Sequence, residues 1–373
     1  MVKRVLVTGA SHIGKAGVAT ILYNWGQHFD KEKVVYDYLA QSGLPEKKYQ
    51  DDIFSKGGKI YVPNFTAKGK ITKMLATIQW VNKVLQENKY EIFHINSDSA
   101  YLAAIYIIIA KKAHIKHIVV HSHSTMIDDL NKFMRLLKTV MHYFFRGFVR
   151  KNADVKLACS REAGKWMFKG DKTTIIPNGI ELEQFAFDEE YRNAKRKEFA
   201  LEDSYVVGCV GRLAYQKNYL FSIRVFQEIL KLNPDAVYLI IGEGPERPVL
   251  EQYILEHGLE GKVILLGNRF DVNKLLSCMD VFMLPSRFEG LGIVYIEAQA
   301  SGMPVFASDQ VPEEAFITEL IHRCSLSDEP KLWAERIASF ANAERADVID
   351  QIEQAGFSIQ ASANILQQIY HKL

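Results

Sequence analysis

The chain has 373 residues, 48% hydrophobic and 24% charged, with a net charge of +2 at neutral pH. These proportions exclude a disordered or fibrous chain and give no reason to expect a nucleic-acid partner, while the length calls for two domains. The four cysteines, at 159, 209, 278 and 324, stand far apart with no C-x-x-C pair. They make neither a disulfide framework nor a zinc site, which fits a reducing, cytoplasmic setting.

In chain order, Val2–Thr8 reads as a buried strand ended by Gly9. Its apolar run is too short for a secretory leader. Helical spacing over 16–29 follows, then strand-like runs at 33–38, 60–62, 92–95, 117–121, 155–159 and 174–177. Helices at 70–89, 98–113 and 130–151 alternate with them, which predicts a parallel sheet covered on both faces. The longest apolar run, Ala100–Ala110, is too short to span a bilayer and reads as a buried helix. After Phe185 a charged, polar stretch (188–199) precedes a second alternation, with strands at 206–210, 237–241, 263–266, 281–284 and 305–308. The expected fold is therefore α/β, with one doubly wound Rossmann-like domain over 1–187 and another over 188–356. The last helix, 357–373, carries an apolar face that could pack back on the first domain. Ligands are expected beyond the carboxyl ends of the strands, in a cleft that the two domains face.

The near-neutral total hides an asymmetry. Residues 1–185 hold 28 Lys and Arg against 16 Asp and Glu, leaving 18 against 28 for residues 186–373. Opposite signs suggest different partners for the two halves, or mutual attraction between them.

The most informative segment runs from Glu289 through Gly290, Leu291 and Gly292 to Glu297. It sets one carboxylate before a glycine-flanked helix start and another on that helix. Free N–H groups at a helix start suit a phosphate, glycine admits close approach, and the later carboxylate suits sugar hydroxyls. Upstream, Gly211 follows a strand, and Arg212 and Lys217 supply two cations able to neutralise a leaving diphosphate without a metal. No Asp-x-Asp metal clamp occurs in the chain, so no metal or other cofactor is expected. Near the amino terminus, Gly9–Ala16 is one residue from a P-loop, but Ala16 has no hydroxyl for magnesium. The same stretch misses a dehydrogenase pattern because Ile13 stands where glycine is required.

The Glu289-x7-Glu297 pair, the Gly211-Arg212-x4-Lys217-Asn218 loop, Gly242-Glu243-Gly244-Pro245 and Pro177-Asn178-Gly179 together resemble the retaining glycosyltransferases of family 4, which have the GT-B fold. The resemblance is dense over 155–310 and is closest to bacterial exopolysaccharide and capsule transferases. It implies that Arg212 and Lys217 contact the donor diphosphate together with backbone at Gly290, Leu291 and Gly292. Glu297 would hold the ribose and Glu289 the donor sugar. Gly267, Asn268 and Arg269 would border the base, and Gly17 would open the first helix near the phosphates, where the family carries Gly-Gly and this chain has Ala16-Gly17. His123, with His121 as the adjacent alternative, matches the family's strand-end histidine and would donate to sugar or phosphate as a neutral imidazole. The implied donor is a UDP-linked hexose and the acceptor a saccharide or a polyprenyl-diphosphate-linked saccharide. A non-catalytic nucleotide-sugar-binding subunit of a polysaccharide-synthesis complex is the alternative, and a sugar-nucleotide epimerase would lack this motif combination.

The helix expected over 130–151 mixes Lys132, Arg135, Arg146 and Arg150 with Phe133, Leu136 and Phe144. Such a helix either packs on the sheet or lies against an anionic membrane, which would make the protein peripheral on the inner face of the cell membrane.

Overall fold

The computed structural model describes residues 2–11, 13–14, 17–65, 69–170, 172–341 and 343–373, with backbone alone at 70 and 71. The chain divides into two units. One comprises 1–127, 131–180 and 356–373, and the other comprises 128–130 and 181–355.

The first unit is a seven-stranded sheet built from β1 (Lys3–Val7), β2 (Val34–Leu39), β3 (Ile60–Tyr61), β4 (Ile92–Ser97), β5 (His117–Ser122), β6 (Val155–Ala158) and β7 (Thr174–Ile175). The order is β3-β2-β1-β4-β5-β6-β7 and every pairing is parallel. Helices α1 (Gly17–His28), α2 (Lys47–Ser55), α3 (Lys70–Asn88), α4 (Ala100–Lys112), α5 (Lys132–Asn152) and α6 (Arg161–Phe168) connect the strands. β2 and β4 are buried along their whole length, as strands covered on both faces must be. The one carboxylate in β2, Asp37, is fully buried but satisfied. Arg4 donates to both its oxygens (3.0 and 2.6 Å), Tyr90 donates its hydroxyl (2.6 Å) and Lys59 its backbone N–H (2.8 Å).

The C-terminal helix, Ile359–Lys372, completes this unit. Ile359, Ser362, Ala363, Leu366 and Tyr370 recur at helical spacing and are its buried face. Trp25 of α1, fully buried, donates its indole N–H to the Ser362 hydroxyl at 2.8 Å. The Tyr370 hydroxyl meets His94 Nδ1 at 2.6 Å and the Tyr36 hydroxyl at 2.6 Å. Truncating Trp25 to alanine would cost about 3–5 kcal/mol by the usual scale for large buried aromatics.

The second unit has β8 (Val206–Val210), β9 (Val237–Ile241), β10 (Val263–Gly267), β11 (Val281–Leu284), β12 (Val305–Ser308) and β13 (Ile321–Cys324), in the all-parallel order β10-β9-β8-β11-β12-β13. Its helices are α7 (Leu182–Phe185), α8 (Glu189–Glu198), α9 (Tyr219–Leu232), α10 (Arg247–Glu256), α11 (Val272–Leu275), α12 (Ile293–Ala300), α13 (Pro330–Ala338) and α14 (Ile349–Gln354). β13 lies outside the sequence expectation.

Residues 181–187, expected with the first domain, cluster instead with the second. Phe185 packs on the second core, and the Gln184 carbonyl accepts from Asn273 at 3.0 Å. The charged stretch after it is no loose joint. It forms α8, whose Arg192 and Arg196 both reach Asp280 (2.5 Å each), while Asp280 also accepts the Val206 N–H at 2.7 Å. In each sheet the strand order reverses direction at one place, between β1 and β4 and between β8 and β11. Open parallel sheets bind ligands beyond the strand ends at such points.

Candidate active site

In the second unit the sequence-predicted residues gather at the carboxyl ends of β8 and β11. β8 ends at Val210 and leads into Gly211, and a short 3-10 turn over Tyr215–Lys217 leads to Asn218, whose left-handed φ of 60° caps α9. β11 ends in Leu284, and the chain runs through Ser286 and Glu289 to Gly292, with φ 84°, at the cap of α12. The two loops are zipped together. The Arg287 N–H donates to the Gln216 carbonyl at 2.7 Å, and the Gln216 side chain donates to the Phe288 carbonyl at 3.1 Å. The Arg287 guanidinium lies 4.3 Å over the Tyr215 ring.

Glu289 is the hub of this junction. Only 4% of it is exposed, and its carboxylate accepts from Lys217 Nζ (2.6 Å), Ser286 Oγ (2.6 Å) and Gln216 Nε2 (2.9 Å). Ser286 is itself held by the buried Tyr295 hydroxyl at 2.9 Å, and its carbonyl accepts from Ser308 at 2.5 Å. A buried carboxylate with this many donors is held in one direction. Lys217, expected to contact the diphosphate, is paired with Glu289. An ammonium has three N–H donors, so the pairing leaves capacity for a phosphate oxygen. Arg212 differs: its side chain is 69% exposed, 3.8 Å from Asp128.

On α12, Glu297 and Ile293 are the two residues not fully buried, four apart and so on one face. Burial pushes the Glu297 carboxyl up from 4.5 to about 7, against the pull of Lys217. Leu291 is buried at 2% exposure, so it offers a backbone and not a side chain. No acidic residue stands in the first turn of α12, and no side chain caps it. Its N-terminal N–H groups and dipole thus suit an anion.

Gly242 and Gly244, after β9, touch the Gly211 loop rather than a ligand space. A Cβ at Gly242 would sit 2.0 Å from the Gly211 carbonyl oxygen, and one at Gly244 would sit 2.3 Å from that of Leu213. Backbone bonds from Leu213 N to Glu243 O (3.0 Å) and Glu246 N to Leu213 O (2.9 Å) fix the same contact. At the end of β10, Gly267 has φ 67°, and Arg269 is held by Asp271 through Nε (2.8 Å) and Nη2 (2.7 Å). Asp271 is lowered to about 2, chiefly by that guanidinium, and Tyr191 donates to it at 2.8 Å.

The remaining expected residues belong to the first unit. His123 follows β5 and is buried. Its Nε2 lies 2.8 Å from Asn96 Oδ1, while Asn96 Nδ2 donates to the Thr8 carbonyl at 3.0 Å. Because that amide nitrogen must donate, its oxygen accepts, and neutral His123 carries its proton on Nε2. Its remaining nitrogen, Nδ1, can then only accept, contrary to the expected donation to sugar or phosphate. Burial holds His123 and His94 at about 3 and lowers His121 well below its ordinary value, so all three are neutral at physiological pH. His121 is stacked between Trp25 and His94 with no exposure. Gly17 opens α1 at the surface, and a Cβ there would meet nothing within 4 Å. Gly14 is the constrained glycine: φ is 81°, and a Cβ would meet the Tyr49 hydroxyl at 2.4 Å. Lys15 and Ala16, which decide the P-loop look-alike, lie outside the described residues. Sequence reasoning missed Ser286, Gln216 and Asn96, which bond the expected residues, and only their position at strand ends could have signalled them.

Two all-parallel Rossmann-like sheets, each with chemistry-bearing residues past its strand ends, define the GT-B class of fold. Residues 191–355 match the family of glycosyl transferases group 1, and residues 16–184 match glycosyltransferase family 4. The putative glycosyltransferase EpsF of Bacillus subtilis is 28% identical over 99% of this chain and 96% of its own. An Escherichia coli UDP-Gal:alpha-D-GlcNAc-diphosphoundecaprenol alpha-1,3-galactosyltransferase is 27% identical over 79% of this chain and 76% of its own. Among solved structures, sucrose-phosphate synthase of Thermosynechococcus elongatus superposes with a TM-score of 0.77 at 17% identity, covering 99% of this chain and 98% of that one. Anabaena HepE in complex with UDP and glucose superposes with a TM-score of 0.70 at 17% identity, covering 98% and 95%. The chain belongs to the family 4 glycosyltransferases and is an enzyme of that class.

Proposed function

We propose that this enzyme moves a hexosyl unit, with retention, from a UDP-sugar to a saccharide or polyprenyl-diphosphate-linked saccharide in exopolysaccharide or capsule synthesis. The observation that carries the donor side is the junction of Lys217, Ser286 and Gln216 on buried Glu289, beside the uncapped start of α12. There the backbone of Gly290–Gly292, Lys217 and Arg212 neutralise the diphosphate, and Glu297 accepts from the ribose hydroxyls. Gly211 shapes the turn that carries Arg212, and Gly267–Arg269 border the base. Glu289, fixed by its three donors, orients the hexose hydroxyls. The bond from the anomeric carbon to the diphosphate oxygen breaks as the acceptor oxygen bonds that carbon from the same face. The acceptor proton passes to the departing phosphate oxygen.

UDP is favoured because HepE binds UDP and glucose, and the E. coli relative uses UDP-Gal on a diphosphoundecaprenol-linked acceptor. No metal is required on this reading. The chain has no Asp-x-Asp, and Arg212 and Lys217 supply the positive charge instead. The enzyme would work from the cytoplasmic side, peripherally at the membrane's inner face.

The test is nucleotide release from a panel of UDP-, GDP- and ADP-sugars with EDTA present, for wild type and Arg212→Ala. Release from a UDP-sugar despite EDTA, reduced at least a hundredfold in the variant, is expected. Tight binding without release, even with membrane extract supplying acceptors, would instead make the chain a binding subunit.

A further inference from the structure

α5 turns its apolar stripe away from the protein. Its buried residues are His142 and Val149, with Phe145 and Phe148 packed against the core beside them. His142 pins that inner side: Nδ1 accepts the Ala100 N–H at 3.0 Å, Nε2 donates to the Trp166 carbonyl at 3.0 Å, and the ring stacks on Trp166 at 3.7 Å. On the opposite side Phe133 is 72% exposed, Leu137 43%, Val140 58% and Phe144 80%. At 3.6 residues per turn these four fall within an arc of about 60° and extend about 17 Å along the axis. Leu136 and Met141 widen the stripe and are also exposed.

Charge decides what covers it. α5 holds six cations, Lys132, Arg135, Lys138, Arg146, Arg150 and Lys151, and no acidic residue. Lys132 and Arg150 lie along one edge of the stripe, past Leu136, and Lys151 lies in line with it beyond Phe144, while Arg135, Lys138 and Arg146 fall on the inner side with His142. A second copy packed face to face would set these cations against their like. A nucleic acid would satisfy the cations and leave the phenylalanines in water. An anionic lipid surface suits both, with acyl chains for the stripe and headgroup phosphates for the cations along its edge and end. No helix among the described residues is long and apolar enough to cross a membrane, so the contact is lateral.

We propose that the outer face of α5 is a membrane-docking surface that seats Phe133, Leu137, Val140 and Phe144 among the acyl chains of an anionic leaflet. This deepens the functional reading by naming where the enzyme meets a lipid-linked acceptor, and it rests on that reading only for its purpose.

The experiment is co-sedimentation of the full chain with phosphatidylglycerol/phosphatidylcholine vesicles and with pure phosphatidylcholine vesicles. Wild type, Phe133→Ser/Phe144→Ser and Lys132→Gln/Arg150→Gln/Lys151→Gln are compared, with light scattering of each in solution. Wild type binds the anionic vesicles. The serine variant loses at least about tenfold of that partitioning at every salt concentration, and the glutamine variant loses mainly the salt-sensitive part. Both keep the wild-type melting temperature and UDP-sugar hydrolysis, because the altered side chains lie outside the core and the donor site. The proposal is overturned if wild type ignores anionic vesicles or the serine variant binds as wild type does. A wild-type dimer that the serine variant makes monomeric overturns it too. Hydrolysis is scored separately, so failure here leaves the donor-site reading standing, and the reverse also holds.

Discussion

Glu297 gives the enzyme a pH dependence that can be calculated. Its carboxyl is raised to about 7 by burial on α12, from an ordinary value of 4.5. A raised carboxyl favours the neutral form in the folded chain, so the unliganded protein is steadier below about 4.5 and loses that margin as pH rises through 7. Donor binding runs the other way if the ribose hydroxyls need the carboxylate as acceptor. With a pKa of about 7, roughly one molecule in eleven is ionised at pH 6 and ten in eleven at pH 8. The dissociation constant for a UDP-sugar should therefore fall about tenfold over that range, equivalent to about 1.4 kcal/mol. The histidines beside Asn96 stay neutral throughout and add nothing to the slope. The assay is titration calorimetry with UDP-glucose, whose diphosphate, unlike that of free UDP, does not ionise near neutrality. Measurements at pH 6 in buffers of different ionisation enthalpy should show release of nearly one proton. Glu297→Gln should bind more weakly at pH 8 and show no slope. A flat wild-type profile, or an equal slope in the glutamine variant, would refute the reasoning.

Two further outcomes are expected. Lys217→Ala leaves Glu289 buried without its counter-charge and should destabilise the protein by about 3–5 kcal/mol in chemical denaturation, whereas Lys217→Met combined with Glu289→Gln should recover part of that loss; no loss in the single variant would mean that the pair is solvated. Nitrogen NMR of labelled histidine should find His123 protonated on Nε2 and untitrated between pH 5 and 8, and Asn96→Leu should yield a mixture of tautomers; a wild-type signal protonated on Nδ1 would reverse the assignment.

The alternation of apolar runs made both sheets legible, because strands buried on two faces are written as continuous Val, Ile and Leu. β13 escaped because it is an edge strand, Ile321-His-Arg-Cys324, with two of its four side chains not fully buried. The charged stretch 188–199 gave no sign of what it packs on, because its cations showed in the sequence while their shared partner, Asp280, lies 84 residues beyond Arg196. The chemistry of Glu289 and Glu297 was legible from spacing, yet what holds Glu289 was not: hydrogen bonds from Gln216 and Ser286 leave no periodic trace. The stripe on α5 was visible as a pattern, but a hydrophobic pattern reads the same whether it faces a core or the outside. Only the placement of His142 and Val149 settles which side is in.

The first unit is not a continuous stretch of chain. Its last helix is made some 180 residues after its final strand, with residues 181–355 of the second unit in between. During synthesis, then, His94 and Trp25 wait without Tyr370 and Ser362 until the residues after 355 have been made. The amino-terminal half must be kept from aggregating in an incomplete state, and a shortened product ending after α14 would carry its defect in the half that was translated first.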